Sequence, residues 1–346
     1  MIAGPSSLLP DFRLIPKDIC QGLRELAGGH VFITGGTGFV GKWLTLALHY
    51  ARKEFGVCYQ ATLLTRDPIR ALESAPWLAD PSVTLLSGDI RTIRNAPLSG
   101  ISHVIHAAGD ISKTAGALAP LDIAMRGSLE LVEHPAIRSA RRFLLISSGA
   151  VYGTAPCPIT GITEATRSVI APLDLNGAYA QAKIASESIC SMARIQGFIP
   201  NLSIARMFSA CGPFLPADGG FAFADLIRDA GTPGGLVIRG DGTAVRSYLY
   251  GADLALWLWS ILLRGNDQTA YNVGSGAGVS IRDLAERIAQ IHPTQPAISI
   301  LGRPNDGRAA SIYFPDITAA GQLGLAAWTN LDRAISTTIH HTLESP

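Results

Sequence analysis

Short uninterrupted apolar runs recur along the chain, separated by longer stretches in which apolar positions return every three or four residues. The runs at His30–Thr34, Tyr59–Thr65, Val83–Leu86, Val104–Ala107, Phe143–Ser147 and Leu202–Arg206 read as strands. Those at Val40–Tyr50, Ala117–Glu133 and Gly177–Gln196 read as helices. Strands apolar on both faces and alternating with helices predict an α/β fold, a doubly wound parallel sheet covered on both sides. Residues 1–29 precede the first strand, and Pro16–Ala27 reads as a short helix expected to pack against the sheet edge. Beyond residue 207 the pattern changes. A Gly/Pro-rich loop, CGPFLPADGG, leads into short strands at Leu236–Arg239, Ser247–Tyr250, Ala270–Val273 and Ala297–Leu301. These mix with helices at Gly251–Leu263, Ile281–His292 and Leu331–Leu343. The organisation expected is an N-terminal extension (1–29), a large domain (30–207) and a smaller α/β lobe (208–346) with some segments returning to the sheet. No internal repeat or low-complexity tract interrupts it.

Charge adds an exclusion. The 346 residues hold 28 Lys+Arg and 27 Asp+Glu, a net charge of +1, which offers nothing for nucleic acid or an anionic membrane. Charged residues are only 16%, below the usual quarter or so, which implies large buried faces and room for a subunit interface. The five cysteines (Cys20, Cys58, Cys157, Cys190, Cys211) form no CxxC pair and suggest buried thiols in a reduced, cytoplasmic protein. No signal peptide is indicated. Leu254–Leu263 is too short for a membrane span of ~20 residues and reads as a core helix. No metal is expected.

The first strand runs into ITGGTGFVG. Gly36, Gly38 and Gly41 satisfy GxGxxG, while Gly35, Gly38 and Gly41 satisfy GxxGxxG. In either frame one glycine permits the tight turn, the next lets backbone approach a pyrophosphate, and the last lets helix pack on strand. The phosphate then sits on unpaired N–H groups at the helix N-terminus. The bland alternative is a structural turn, but a strand before and a helix after favour a Rossmann-like dinucleotide site. After the second strand the chain reads ATLLTRDP. Thr65 stands where an acid would bind the ribose of NAD, and Arg66 follows, which suits the 2′-phosphate of NADP. NADP is therefore favoured over NAD, the alternative being Arg66 as a solvated charge with Asp67 as a turn residue. Asp89, after the third strand, either meets the adenine edge or caps a turn.

YAQAK puts Tyr179 and Lys183 on one helical face. A phenol with an ordinary pKa near ~10 is a poor base, but a neighbouring ammonium favours its phenolate. Such a Tyr can exchange a proton with an alcohol or ketone oxygen. Ser148, in ISSGAVYG at the carboxyl end of the fifth strand, is placed to hydrogen-bond the same oxygen or else to cap a turn.

Glycine turn, Ser and Tyr-x-x-x-Lys in this order resemble the short-chain dehydrogenase/reductase superfamily. HAAG, SSGAVYG, RMFSACGP, RSYLYGADLA and YNVGSGAGVSIRDLA resemble its extended branch, the NAD-dependent epimerase/dehydratase family of nucleotide-sugar epimerases, dehydratases and ketoreductases. The resemblance runs from about residue 30 to about 340 and implies Ser148, Tyr179 and Lys183 as the catalytic triad. It implies cofactor contacts from Gly35, Gly38, Phe39, Val40, Gly41, Arg66, Asp89, Ile90, Ala107 and Ala108, with Lys183 on the nicotinamide ribose. Substrate contacts would come from Ser148, Ser209, Arg246 and Arg308, the substrate being a nucleoside-diphosphate sugar. Arg246 resembles the family's diphosphate-gripping Arg, and Glu164 is read as structural. The long helices imply a homodimer.

Departures narrow the chemistry. Family dehydratases carry Asp-Glu after the catalytic Ser/Thr, and the related decarboxylases keep a Glu there. Here Gly149 and Ala150 can act as neither acid nor base. Ala124 and Ser209 stand where the family usually has Asn. The expectation is a 4-ketoreductase of a nucleotide-linked 4-keto-6-deoxy sugar, with a 4-epimerase as the alternative. A reductase of non-sugar ketones and a non-catalytic cofactor sensor remain further readings.

Overall fold

The computed structural model describes residues 7–109, 118–171, 177–217, 219–303 and 310–344. Arg308 lies outside them, as does the first residue expected of the helix at 117–133. The strands are β1 (His30–Thr34), β2 (Gln60–Thr65), β3 (Val83–Ser87), β4 (His103–His106), β5 (Arg142–Ser148), β6 (Asn201–Met207), β7 (Ala210–Cys211), β8 (Leu236–Ile238), β9 (Val245–Arg246), β10 (Leu249–Tyr250), β11 (Thr269–Val273), β12 (Val279–Ser280), β13 (Ile298–Ile300) and β14 (Ile312–Tyr313). The α-helices are α1 (Lys17–Gln21), α2 (Phe39–Phe55), α3 (Pro68–Ser74), α4 (Ala119–Val132), α5 (Ala178–Ile195), α6 (Ala222–Ala230), α7 (Gly251–Arg264), α8 (Ile281–Ile291), α9 (Thr318–Gly321) and α10 (Leu331–Glu344).

Seven strands form one sheet in the order β11-β6-β5-β4-β1-β2-β3, every pair parallel. The order reverses between β1 and β4, and in such sheets ligands bind outside the carboxyl ends of the strands at that switch point. Ile33, Ile105 and Leu144 are fully buried on β1, β4 and β5, which is why these runs carry no polar alternation. The strand expected at 270–273 is a segment that returns to this sheet, as its seventh member. The remaining C-terminal strands pair in small sheets: β10 with β7, β13 with β8, and β9 between β12 and β14. The strand expected at 247–250 is only β10, because the chain breaks pairing after β9.

Helix α7 is buried from Gly251 through Leu263, on every side. A helix apolar all round has to be covered all round. The sheet covers one side, α2 another, and the segment before β1 covers a third. The segment from Leu9 to Leu26 therefore packs on the helix layer and not on the sheet edge. Phe12 stacks on Tyr50 of α2 at 5.2 Å and meets Trp43 edge-on at 6.2 Å. The buried Asp11 carboxylate accepts from Tyr250 Oη at 2.6 Å and from Arg333 of α10 at 3.2 Å. The thiols are not uniformly hidden: Cys20, Cys190 and Cys211 are buried, Cys157 is half-buried and Cys58 is exposed. Among the described residues no helix is long and apolar enough to cross a membrane.

The α2–α7 contact is closest at Gly251, where a Cβ would overlap the Trp43 indole. Gly251→Ala is expected to lower stability by about 1–3 kcal/mol through overpacking, read as a lower urea midpoint at unchanged slope.

Candidate active site

The site is built at the switch point from the ends of β1, β4 and β5. Gly35 follows β1 with φ +68°, and a Cβ there would lie 2.7 Å from the Ala107 carbonyl oxygen. Both the left-handed backbone and the close approach require glycine. At Gly41, in the first turn of α2, a Cβ would overlap the backbone of Gly36, so the last glycine is what seats the helix against the turn. Gly38 is the N-cap of α2 and supplies no side-chain cap, so the first N–H groups of this 17-residue helix keep their donors for a ligand. Phe39 and Val40 are half-buried in that first turn, and Gly38 is exposed. This cradle, with bare donors at a long helix's positive end, fits a dinucleotide pyrophosphate.

One hydroxyl fixes the cradle's far wall. Thr34 Oγ1 accepts from the backbone N–H of Ala107 at 3.2 Å and of Ala108 at 3.1 Å. With both acceptor positions used, its own proton goes to His106 Nδ1, 2.8 Å away. His106 therefore carries its proton on Nε2 and donates to Ser128 Oγ at 3.1 Å. Burial first, and the charge of Lys183 second, push His106 down to about 3. The residues expected to line the cofactor, Ala107 and Ala108, are thus held by a histidine that sequence reading passed over as part of HAAG.

Tyr179 and Lys183 stand in the first two turns of α5. Lys183 is buried, donates to the Ile146 carbonyl at 2.9 Å, and its Nζ lies 5.9 Å from the Tyr179 ring centroid. A Cβ on Gly109 would lie 3.5 Å from the same ammonium, so the HAAG turn closes over it. Ser148, at the end of β5, accepts from Ala150 N at 3.1 Å, so it caps the following turn as well as facing the site. Tyr313 of β14 reaches the same place. Its phenol interacts with Ser148 and feels Tyr179, and burial first, then Tyr179, push it well above the ordinary tyrosine range. The Tyr313 ring lies 4.7 Å from that of Phe208. A Cβ at Gly149 would overlap the Tyr313 hydroxyl and lie 2.8 Å from Phe208. The position that carries an acid in the dehydratases is thus filled from another strand. No local signal announced Tyr313, because a two-residue strand more than 160 residues downstream supplies it.

Arg246 pairs with Tyr313 across β9 and β14. Its guanidinium lies 5.7 Å from the Tyr313 centroid and donates to the carbonyls of Val245 and Ser311, each at 2.7 Å. It is half-buried beside the site rather than a free surface charge. Ser209 is half-buried, and its carbonyl accepts from Leu249 N at 3.1 Å. At the other end, Arg66 is exposed and makes no protein hydrogen bond among the described residues. Asp67 instead caps α3, accepting from Arg70 N at 2.9 Å. Asp89 accepts from Arg91 N at 2.9 Å and pairs with the Arg91 guanidinium at 2.7 Å, which holds it down at about 2. Its carboxylate is thus a cap first. Ile90 beside it is buried against Gly127.

Residues 31–274 match the model of the NAD dependent epimerase/dehydratase family. The chain belongs to that family. It is therefore an NAD(P)-dependent enzyme of the short-chain dehydrogenase/reductase type. Among similar family members, UDP-glucuronic acid decarboxylase 5 of Arabidopsis thaliana is 26% identical over 298 residues, covering 85% of this chain and 83% of that one. UDP-glucose 4-epimerase of Pasteurella multocida is 24% identical, covering 91% and 98%. The dTDP-glucose 4,6-dehydratase DesIV of Streptomyces venezuelae, solved with NAD bound, shares the fold at TM-score 0.76 and 22% identity, covering 91% and 97%. An epimerase of Methanothermobacter thermautotrophicus does so at TM-score 0.78 and 21% identity, covering 94% and 95%.

The buried histidines set an acid limit on this fold. His106 is pushed down to about 3 and His103, by burial and then by Arg141 and Arg142, to about 4. Both lie below the unfolded value near ~6.5, so their contribution is complete above that pH and lost as pH falls toward the folded values. The thermal midpoint is expected to drop from about pH 6.5 downward, and His106→Gln to flatten that slope in a melting series across pH.

Proposed function

We propose that this enzyme is an NADPH-dependent ketoreductase acting on the 4-keto group of a nucleotide-linked 4-keto-6-deoxy sugar. The observation that carries the reading is the filling of position 149 by the Tyr313 phenol. The decarboxylases and dehydratases among its relatives need an acid or base there in addition to the triad. Here Gly149 and Ala150 offer none, and burial keeps the Tyr313 phenol protonated. What remains is oxidation or reduction at one carbon, which needs only a proton-shuttling phenol and a hydride carrier.

In this reading the bound nicotinamide supplies hydride to the sugar carbon. Tyr179 delivers the proton to the carbonyl oxygen, and Lys183 stabilises the phenolate left behind and holds the nicotinamide ribose. Ser148 steadies the same oxygen by a hydrogen bond. Arg246 anchors the substrate diphosphate through its guanidinium fork, so that binding energy remote from the reaction positions the small ring. The glycine turn and Ala107-Ala108 hold the cofactor, and the residues from 208 onward supply most of the substrate side. Arg66 supports NADP: it follows Thr65 rather than an acid, stands exposed, and makes no protein hydrogen bond among the described residues. A homodimer is supported by the apolar side chains exposed on α4 and α5, among them Met125, Leu129, Met192 and Ile195.

The test offers dTDP-4-keto-6-deoxyglucose with NADPH or NADH. Turnover with a preference for NADPH is expected, and Tyr179→Phe should cost about 10²–10⁴-fold in kcat. Arg66→Ala should erase the NADPH preference while leaving NADH turnover unchanged. NAD retained through purification, with interconversion of UDP-sugars and no net NADPH consumption, would favour the 4-epimerase instead. Light scattering at twice the chain mass would support the dimer.

A further inference from the structure

Glu187 lies on the same face of α5 as Tyr179 and Lys183, one turn beyond the lysine. Its carboxylate is nevertheless committed elsewhere. Arg206 of β6 donates to it from Nε at 3.1 Å and from Nη2 at 2.8 Å, and Ser147 Oγ donates at 2.5 Å. Among the described residues the Lys183 ammonium hydrogen-bonds only the Ile146 carbonyl. Ile146 and Ser147 are consecutive on β5, so an ammonium and a carboxylate dock on neighbouring residues of one strand without pairing. The Arg206 and Glu187 side chains are only 18% and 12% exposed, so solvent does little to screen them.

Arg206 is itself held rigidly. Its Nη1 donates to Tyr152 Oη at 3.1 Å and to the Glu164 carbonyl at 3.2 Å. Tyr152 Oη then donates to Asn272 Oδ1 at 2.7 Å, and Asn272 N donates to Glu164 Oε1 at 2.7 Å. Burial opposes the guanidinium's charge, while Glu187 and Tyr152 more than restore it.

We infer that Arg206 is a positioning residue: by capturing Glu187 it leaves the Lys183 ammonium unpaired, its charge directed at Tyr179. Without Arg206 a nearly buried carboxylate has no counter-charge, and the nearest cation on its own helix is Lys183, four residues back. A neutralised ammonium no longer favours the phenolate. The inference rests on reading Tyr179 and Lys183 as the proton-handling pair. The other titratable or charged groups around that pair, among the described residues, leave it to these three. His106 of β4 is neutral, burial holds the thiol of Cys190 on α5 protonated, and burial also raises Tyr152 and Tyr313. Arg246 lies beyond the Tyr313 ring and Glu164 beyond Asn272.

The test uses the full chain saturated with NAD+ and follows tyrosinate absorbance as pH rises, subtracting the Tyr179→Phe protein. In Arg206→Met the Tyr179 tyrosinate should form about one pH unit or more higher than in the parent. In the double variant Arg206→Met/Glu187→Gln, which removes both charges together, it should return to the parent curve. A merely structural role would leave the double variant no better than the single. Arg206→Gln, which can still donate to Glu187 without charge, serves as a second variant and should shift the curve the same way by less. An unmoved curve in Arg206→Met, or a double variant that stays with the single, overturns the inference. A parent with no tyrosinate signal distinct from Tyr179→Phe below about pH 10 overturns the Tyr179–Lys183 reading itself, and this inference with it.

Discussion

The hydroxyl of Thr34 holds the site together. It sits at the last residue of β1, where the strand order reverses, and ties that strand to the turn after β4 through two backbone donors and one histidine. A buried hydroxyl with every lone pair and its proton used has a single arrangement, and so does whatever it holds. The close approach of Gly35 to Ala107 follows from it, and with it the width of the gap above the α2 N-terminus. The Ala107 N–H is shared with the Thr34 carbonyl at 3.2 Å, while the Ala108 N–H has the hydroxyl as its partner among the described residues, so moving the turn would loosen the second bond first. The cradle's wall is thus bonded to β1 through both the side chain and the backbone of Thr34.

A second constraint concerns charge. The region behind the site buries a lysine, an arginine and a glutamate within a few residues of one another, and unpaired buried charges are expensive. The chain resolves this by geometry and not by neutralising everything. The arginine and glutamate close on each other, with Ser147 and Tyr152 completing their bonds. Among the described residues the lysine is left with a carbonyl dipole. The histidine under it stays uncharged, which spares the lysine a second positive neighbour. One cation thus keeps an outward field in an otherwise balanced interior, aimed at a phenol.

The sheet and the shared helical face of Tyr179 and Lys183 were legible in the chain because their signals are local. Unbroken apolar runs such as Phe143–Ser147 can only be buried strands, and Tyr179 and Lys183 share a face by helix geometry alone. The glycine turn was legible for the same reason, although only the structure shows that Gly35 carries the left-handed backbone. Long-range pieces were not legible. Tyr313 sits on a strand of two residues with no periodicity to read, and its meaning comes from meeting Gly149 across the fold. The segment before β1 was misplaced because nothing in its own composition says that α7 is apolar on every side and needs a cover. That some C-terminal segment returns to the sheet was expected, but not which one, because strand order in a parallel sheet is set by crossovers, which leave no mark in the residues. Asp89 had two readings in sequence, and the structure shows the cap, with Arg91 bonded to its carboxylate.

The contact between Gly149 and Tyr313 also bears on how such an enzyme changes over evolutionary time. Acquiring an acidic side chain at 149 would gain nothing while the ring from β14 stands there, and losing the ring first would leave a hole beside Ser148. Each single step is a loss, so the two sites are epistatic. Positions 149 and 313 are therefore coupled sterically, so a change at either is constrained by the residue at the other.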